Sequence, residues 1–292
     1  MIWRDRNGQT VPGDEGQDRL LEWMYGTALG RCLVRVMIRP RVSRAAGWLL
    51  DRRISALAVG PFIRRNRICM DDFEQRKFRS FNDFFTRKLR DGRRPVDETP
   101  THLIAPCDSK LTVYPIEADS RFTVKGTEYT LAELLRSGKL AERFLGGTLL
   151  LFRLTVGDYH RYCYIDTGYV GEETSIPGVF HTVNPAAASR YPIYKENTRT
   201  FSLLQSEHFG AVLQMEVGAA MVGRIVNEPG CRQVVRGQEK GRFEFGGSTV
   251  IVLLQKDAAV LDGDLLRNTR EDAETVVRLG MRIGEAKGCD SQ

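Results

Sequence analysis

A glycine pair followed by two hydroxyl residues separates two strand-like runs in the C-terminal part of the sequence. The stretch reads Arg242-Phe-Glu-Phe-Gly-Gly-Ser248-Thr249, and five aliphatic residues follow it. Glycine has no Cβ, so it admits unusual dihedral angles and leaves its carbonyl group open to attack. The motif therefore permits the Ser248 hydroxyl to cleave its own chain at the Gly247 carbonyl, and a simple turn is the structural alternative.

Such a cleavage creates a reactive group from the protein's own backbone. Attack by the serine oxygen converts the amide into an ester. Elimination across the Cα–Cβ bond then separates the two segments, and hydrolysis of the resulting imine leaves a pyruvoyl group on the new N-terminus. The chemistry thus needs a group that can take the proton of the Ser248 hydroxyl.

Few side chains in this sequence can move a proton near neutral pH. There are four histidines, His102, His160, His181 and His208. His160 follows a strand-like run in Asp158-Tyr-His-Arg161, and a histidine in this setting is suited to acid-base work, with a hydrogen-bonded core histidine as the alternative. Asp108 follows Pro106, a position typical of a turn. Glu216 is expected to be buried and to need hydrogen-bond partners.

Six sequence blocks between residues 81 and 249 carry a resemblance to a known family. The blocks are Phe81-Asn-Asp-Phe-Phe-Thr-Arg-Lys-Leu89, Asp158-Tyr-His-Arg161, His181-Thr-Val-Asn-Pro185, Glu196-Asn-Thr-Arg199, Met215-Glu-Val-Gly-Ala219 and Gly237-Gln-Glu-Lys-Gly241 with the following Arg-Phe-Glu-Phe-Gly-Gly-Ser-Thr. Their types and order resemble those of the self-processing, pyruvoyl-dependent phosphatidylserine decarboxylases. Because six blocks recur in one order, the resemblance is far more specific than any single block.

The resemblance implies decarboxylation of phosphatidylserine to phosphatidylethanolamine. Cleavage between Gly247 and Ser248 would leave residues 1–247 as a β chain and residues 248–292 as an α chain, which form a heterodimer and possible further oligomers. The pyruvoyl ketone would form a Schiff base with the substrate amine and accept the electrons released as CO2 leaves. His160 would handle the proton near that group. Neither a metal nor a nucleic acid is expected.

One departure from the family pattern concerns the base that starts processing. Many members read Asp-Tyr-His-Arg-x-His, and Cys163 stands at the position of the second histidine, the presumed base. A neutral thiol is a poor base, so the resemblance leaves His160 and His181 as alternatives. Asp108 matches the processing aspartate, which implies that it orients the histidine that deprotonates Ser248.

Positive charge is concentrated in one segment near the N-terminus. Residues 31–67 contain ten arginines and a single acidic residue, whereas the whole chain has a net charge of only +6. Apolar residues recur at three- and four-residue spacing from Leu20 to Met37, which predicts an amphipathic helix that Pro40 ends. We expect this region to lie on an anionic membrane surface. An ordinary packed helix with solvated arginines is the alternative.

The remaining composition argues for a peripheral rather than a spanning protein. The apolar run Ile54–Ile63 has ten residues, well short of the roughly 20 that span a bilayer. The sequence starts with charged residues where a signal peptide would have an apolar run. The six cysteines are widely spaced, which excludes a CxxC zinc site and suits a reducing compartment. We therefore expect a peripheral membrane protein at the cytoplasmic face.

The hydrophobic pattern predicts an α+β fold. A phenylalanine-rich segment with a capping box, Ser80 and Asp83, precedes residue 97. After it come nine strand-like runs with one helix over residues 130–144, and no βαβ alternation is visible. We expect a helical N-terminal part followed by a mostly antiparallel β catalytic core. The corresponding division is a basic membrane-associating region over 1–97 and a catalytic domain over 98–292.

Two other functions remain open at this level. One is a pyruvoyl decarboxylase that acts on a soluble amino acid, which would not need the arginine-rich surface. The other is an unprocessed lipid-binding module, which the cysteine at position 163 makes worth testing.

Overall fold

The computed structural model describes most of the 292-residue chain. The described residues are 2–12, 23–37, 39–74, 77–117, 119, 121–124, 127–181, 192–219, 224–228, 232–244 and 248–288. Gly247, the predicted residue on the upstream side of the cleavage point, lies outside these ranges. Ser248, Asp108, His160 and His181 lie within them.

Short helices form the front of the chain. They are α1 (Ala28–Met37), α2 (Pro40–Leu50), the 3₁₀ helix Arg53–Ala58, α3 (Val59–Arg65), the 3₁₀ helix Met70–Asp72 and α4 (Phe81–Phe85). Pro40 occupies the first turn of α2, where its missing N–H breaks no helical hydrogen bond. The periodic pattern is therefore divided into separate helices at this proline.

The later helices are also short. They are α5 (Leu131–Leu135), α6 (Gly138–Ala141), the 3₁₀ helix Glu142–Phe144, α7 (Ile193–Glu196) and α8 (Gly263–Arg270). The single helix predicted over residues 130–144 is wrong in this respect. Arg136 adopts a left-handed conformation, with φ 50°, and ends α5. Ser137 then begins α6 by accepting a hydrogen bond from Leu140 N at 3.2 Å.

Strands dominate the rest of the molecule. The first ten are β1 (Ile2–Arg4), β2 (Thr10–Val11), β3 (His102–Ile104), β4 (Ser109–Pro115), β5 (Arg121–Val124), β6 (Thr127–Thr130), β7 (Thr148–Leu154), β8 (Arg161–Cys163), β9 (Gly168–Val170) and β10 (Thr174–Ile176). The others are β11 (Arg199–Ser206), β12 (Gly210–Gly218), β13 (Arg224–Asn227), β14 (Arg232–Val234), β15 (Glu239–Glu244), β16 (Ser248–Leu254), β17 (Ala259–Leu261), β18 (Ala273–Val277) and β19 (Arg282–Ala286).

A large sheet forms the centre of the fold. Its strand order is β14-β9-β11-β12-β16-β7-β4-β18-β1-β2, with β10 also paired to β11. Its pairs are antiparallel apart from β1 with β18. Smaller sheets of order β13-β15-β8, β17-β19-β3 and β5-β6 accompany it. The predicted α+β fold with a mostly antiparallel core is confirmed.

β16 lies inside the large sheet between β12 and β7, and all seven of its residues are buried. Burial on both faces explains its unbroken aliphatic run, because a half-exposed strand would alternate polar and apolar residues. The strand predicted over residues 178–183 differs: Val179 makes only an isolated bridge with Asn197, and residues 182 and 183 lie outside the described ranges.

The phenylalanine-rich segment forms a second, smaller core. Phe81, Phe84 and Phe85 pack there with Val59 of α3. Ser80 caps α4 as predicted, because its Oγ accepts a hydrogen bond from Asp83 N at 3.1 Å. The domain division near residue 97 stays a prediction, and β1 joins the first residues of the chain to the large sheet. None of the helices in the described ranges is long and apolar enough to cross a membrane.

Candidate active site

Ser248 is the first residue of β16 and is fully buried. It lies opposite Gly218 of β12 on one side and opposite Leu154 of β7 on the other. Its Oγ has no hydrogen-bond partner among the described residues. A buried hydroxyl without a partner costs about 1–3 kcal/mol. The Ser248 hydroxyl is therefore buried without the hydrogen bond that would offset its removal from water.

His160 lies in the loop after β7 and is also fully buried. Its Nδ1 lies 2.9 Å from the Asp158 carbonyl oxygen. A carbonyl oxygen only accepts, so Nδ1 carries the hydrogen, and Nε2 is the acceptor in the neutral ring. Nε2 is buried and has no partner in the described ranges. His160 thus offers an unused proton acceptor.

The surroundings of His160 favour the neutral ring. Burial and the nearby Arg87 cation lower its pKa from 6.5 to about 3. The imidazole also packs against the Phe85 ring, with 3.9 Å between centroids. At neutral pH the ring is therefore uncharged and Nε2 keeps a free lone pair, although the charged imidazolium form is disfavoured.

The strand pairing brings Ser248 and His160 to the same region. Ser248 is opposite Leu154, the last residue of β7, and the chain reaches His160 six residues later. On the other side of the junction, Phe243 N of β15 donates to the His160 carbonyl oxygen at 2.9 Å. Both chain segments that lead to the 247–248 bond therefore border the loop of His160.

Asp158 fixes this loop through two different groups. Its carboxylate accepts hydrogen bonds from Lys110 Nζ at 2.6 and 2.7 Å. It also accepts from Thr155 N at 2.6 Å and from Thr155 Oγ1 at 2.8 Å. Burial alone would raise the pKa of Asp158, but Lys110 and Thr155 hold it below its ordinary value. The partner of His160 is thus the Asp158 carbonyl group, while the carboxylate anchors the loop.

Asp108 is buried just before β4, and its carboxylate has partners other than histidine. Arg94 Nε donates to its two oxygens at 3.1 Å each, and Arg94 Nη2 donates at 2.9 Å. Leu279 N adds a further hydrogen bond at 2.9 Å. Its proposed role in orienting a histidine stays a prediction.

His181 is connected to the strand opposite Ser248 by its backbone. Its N–H donates to Asn197 Oδ1 at 2.9 Å, and Asn197 Nδ2 donates to the carbonyl oxygens of His181 and Gly218, both at 2.8 Å. Its ring nitrogens lie 3.5 Å from Tyr25 Oη and 3.5 Å from a Glu196 carboxylate oxygen. Burial lowers the pKa of His181. The imidazole therefore has polar neighbours of its own, unlike Nε2 of His160.

Cys163 is not suited to act as the processing base. It is buried in β8, and burial raises the pKa of its thiol to about 12. The thiol is therefore neutral near pH 7 and accepts a proton poorly. Between the two histidines left open by the sequence, the free ring nitrogen favours His160.

A buried ion pair lies between β12 and β15. Lys240 Nζ donates to both carboxylate oxygens of Glu216 at 2.7 Å. Asn227 Nδ2 donates to the same carboxylate at 2.9 Å, and Tyr162 Oη donates to Asn227 Oδ1 at 2.7 Å. The sequence indicated that Glu216 would need partners. It did not identify Lys240, although this lysine lies in the block before the processing serine.

Comparison with known proteins identifies the family of the chain. The family model for phosphatidylserine decarboxylase matches residues 81–285. A phosphatidylserine decarboxylase proenzyme 2 of Clostridium acetobutylicum is 41% identical over 266 residues, which cover 91% of each chain. A phosphatidylserine decarboxylase proenzyme of Clostridium novyi is 40% identical over 273 residues, 91% of this chain and 92% of the relative.

A more distant relative covers the chain almost completely. The phosphatidylserine decarboxylase proenzyme of Desulfitobacterium hafniense strain DCB-2 is 37% identical over 287 residues, or 96% of each chain. The matched region includes Asp108, His160, His181 and Ser248. The chain belongs to the phosphatidylserine decarboxylase family of enzymes.

Proposed function

We propose that this protein cleaves itself before Ser248 and then decarboxylates phosphatidylserine to phosphatidylethanolamine. One observation carries the proposal. Ser248 Oγ and His160 Nε2 are both buried and both lack a hydrogen-bond partner in the described ranges. Ser248 begins β16, and His160 lies in the loop that follows the neighbouring strand β7. The names of the relatives, proenzymes of phosphatidylserine decarboxylase, supply the substrate.

In the first stage, His160 acts as the base of self-cleavage. Its Nε2 takes the proton from Ser248 Oγ, and the oxygen attacks the Gly247 carbonyl carbon. The C–N bond breaks, and the departing nitrogen takes the proton from the imidazole, which leaves an ester. Loss of the Ser248 α-proton expels the Gly247 carboxylate. Water then releases ammonia from the resulting imine, and a pyruvoyl group caps residue 249.

The surroundings of Ser248 fit such a group. The position is buried between β12 and β7, which shields a reactive carbonyl from bulk water. The pyruvoyl group supplies an electrophile for the substrate amine and an acceptor for the electrons released as CO2 leaves. Nε2 of His160 relays a proton from the substrate ammonium group to the substrate Cα, and because the pKa of the ring is lowered to about 3 the proton stays there only transiently.

The first test is replacement of the serine. In Ser248→Ala the chain should remain intact at 33.0 kDa and inactive, because no hydroxyl can attack the Gly247 carbonyl. Mass spectrometry of the purified wild-type protein should show two fragments that divide at residue 248. The smaller fragment should carry a carbonyl that borohydride reduces.

Ser202→Ala provides a matched control. Ser202 is also buried, and its Oγ also lacks a partner among the described residues, but it lies inside β11. This variant should be cleaved like the wild type. An active wild-type preparation that contains only the intact chain would contradict the proposal. Activity on free serine without lipid would instead indicate a soluble substrate.

We further propose that the helical front binds an anionic membrane surface peripherally. Large apolar side chains with more than half of their surface exposed occur in α1, α2 and the 3₁₀ helix that follows. They are Leu29, Trp48, Leu49, Ile54 and Leu57. Soluble surfaces rarely expose this many large apolar residues close together in sequence, and such residues suit insertion between lipid head groups.

Arginines lie close to these apolar residues in the sequence. Among those whose side-chain burial is described, the exposed ones are Arg39, Arg41, Arg52, Arg53, Arg64, Arg65 and Arg67. Arg52 lies over the Trp48 ring, 4.0 Å from its centroid, so the apolar and cationic groups belong to one surface. Cations next to inserted side chains would contact lipid phosphates. Binding at the surface also leaves the two acyl chains of the substrate in the bilayer.

A further inference from the structure

Arg87 is a buried cation beside the loop of His160. Only 1% of its surface is exposed. Its Nη2 donates to the carbonyl oxygens of Gly157 and Asp158, both at 3.0 Å. The guanidinium also lies over the rings of Phe73 and Phe84, 4.3 and 4.8 Å from their centroids. Arg87 therefore contacts the loop and the small phenylalanine core at once.

The cost of this burial is not offset by a direct ion pair. Among the described residues, no carboxylate oxygen lies within 4.0 Å of the Arg87 guanidinium. A buried charge without a paired carboxylate is unfavourable unless other groups compensate. Burial accordingly lowers the pKa of Arg87 to about 10, which still leaves it charged at neutral pH. Such a residue points to a role beyond stability.

The Asp158 carbonyl oxygen accepts from both Arg87 Nη2 and His160 Nδ1. We propose that Arg87 is a positioning residue for His160, because it fixes the carbonyl group that orients the imidazole and thereby presents Nε2 as an acceptor. The proposal rests on the proposed function of His160 in self-cleavage. It adds Arg87 to the groups that the reaction requires.

The neighbouring residues of the same segment support this role. Phe85 packs against the His160 ring, and the Thr86 carbonyl oxygen accepts from Arg161 Nε and Nη2 at 3.1 and 2.9 Å. Three consecutive residues, 85 to 87, thus hold three parts of the loop that runs from Gly157 to Arg161. The position of the imidazole is therefore set by a segment outside the loop that carries it.

The charge of Arg87 has an effect opposite to that of its hydrogen bonds, because it lowers the proton affinity of the ring whose Nε2 those hydrogen bonds orient. The charged groups that act on His160 are Arg87, Lys110 and Asp158. Lys110 is paired with the Asp158 carboxylate, so these two charges largely offset each other. The Arg87 cation then opposes protonation of the ring. Removing this cation should raise the pKa of His160.

The experiment compares Arg87→Met and Arg87→Lys with the control Arg90→Met. Arg90 lies on the same segment, and its Nε donates to the Phe73 carbonyl oxygen at 2.8 Å rather than to a carbonyl group of the His160 loop. Two quantities are measured. One is the rate of self-cleavage against pH, and the other is the titration midpoint of His160 by NMR in a Ser248→Ala background, assigned with His160→Gln.

Arg87→Met should raise the His160 midpoint by about one pH unit. It should still cleave at least about tenfold more slowly at pH 7, because losing the fixed carbonyl group that orients the ring outweighs the gain in basicity. Arg87→Lys keeps the charge but loses the planar guanidinium that donates to two carbonyl groups. Cleavage should therefore slow, while the titration midpoint of His160 should move little. Arg90→Met should match the wild type in both. If Arg87→Met fails to fold, Arg87→Lys decides through its cleavage rate.

The inference is overturned if Arg87→Met folds and both its rate and its His160 midpoint equal those of Arg90→Met. Unchanged cleavage in Arg87→Lys, where only that variant folds, overturns it as well. Failure of the proposed function is distinguishable. In that case His160→Gln would cleave at the wild-type rate, while the midpoint measured in the uncleaved background would still report on Arg87.

Discussion

At the scale of single residues, the buried polar groups near the junction are of two kinds. Ser248 and His160 each keep one atom without a partner in the described ranges. Glu216 and Lys240 are instead fully paired, and their ion pair joins β12, which flanks Ser248, to β15, which leads to it. Unpaired atoms are available for chemistry, whereas paired ones hold the strands in place.

The Glu216–Lys240 pair makes a prediction about stability. Lys240→Met should lower the free energy of unfolding by about 3 kcal/mol or more, because it leaves the Glu216 carboxylate buried without its cation. Urea denaturation of the uncleaved Ser248→Ala protein measures this. The double variant Glu216→Leu with Lys240→Met should recover part of the loss, because neither charge is then left alone.

Lys287→Met is the control for this measurement. Lys287 pairs with Asp257, but both side chains are more than half exposed. Loss of an exposed pair should change the free energy of unfolding by less than about 1 kcal/mol. Equal effects of Lys240→Met and Lys287→Met would show that the buried pair does not hold the two strands.

Several residues of the candidate site could be chosen from the sequence, but the contacts that they make could not be predicted from it. The glycine pair before Ser248 and the strand-end position of His160 are local features, so a sequence can reveal them. Arg87 lies 71 positions from Asp158, and Lys240 lies 24 positions from Glu216. Such pairings depend on which strands become neighbours. Neither helical nor strand periodicity carries that information.

At the scale of elements, α4 connects two parts of the molecule with different tasks. Phe81 N at its start donates to Ser55 Oγ of the 3₁₀ helix Arg53–Ala58 at 2.9 Å. Asn82 Nδ2 donates to Asp51 Oδ1, also at 2.9 Å. The end of the same helix supplies Phe85, which packs on His160. The helices proposed to contact lipid are therefore tied to the element that supports the loop of His160.

This surface makes a prediction about membrane binding. The double variant Ile54→Asp with Leu57→Asp should bind phosphatidylserine-containing vesicles at least tenfold more weakly, since each buried aliphatic side chain contributes about 1.5–3 kcal/mol. Co-sedimentation with vesicles measures the bound fraction. Wild-type binding should also weaken as salt rises, because salt screens the arginines.

Val260→Asp is the matched control for the membrane surface. Val260 is 51% exposed, but it lies on β17, outside the helical front. Its replacement should leave vesicle binding unchanged. The membrane proposal fails if the Ile54 and Leu57 variant binds as well as Val260→Asp, or if binding of the wild type does not depend on salt.

Short elements also explain where the sequence-based predictions failed. The helix predicted over residues 130–144 is interrupted because Arg136 adopts φ 50° and Ser137 starts a new helix. Three-residue strands such as β8 and β9 are too short to show an alternating pattern, so they were missed. The long strands β7, β12 and β16 were predicted because their aliphatic runs are unmistakable.

At the scale of the whole molecule, the two chains proposed to result from cleavage are interleaved. The segment after residue 247 contributes β16, which lies between β12 and β7. It also contributes β18 between β4 and β1, and β19 with β3 as a neighbour. The downstream segment is therefore part of the same sheets as the upstream one.

We predict that the two fragments of the cleaved protein elute together in size-exclusion chromatography and separate only in denaturant. Strand pairing along the whole of β16 holds them, so loss of one peptide bond should not release the smaller fragment. Denaturing electrophoresis of the eluted peak should show both fragments. Elution of the smaller fragment alone under native conditions would contradict this prediction.

Because β16 lies between two strands of the upstream segment, refolding should differ between the intact and the cleaved chain. While the backbone is continuous, recovery from denaturant is a unimolecular reaction and does not depend on concentration. After the proposed cleavage, two separate polypeptides must meet in solution before β16 can pair with β12 and β7 again. The proposed cleavage would thus make unfolding hard to reverse, because the intact chain refolds by itself, whereas dilution separates two unfolded fragments of unequal length.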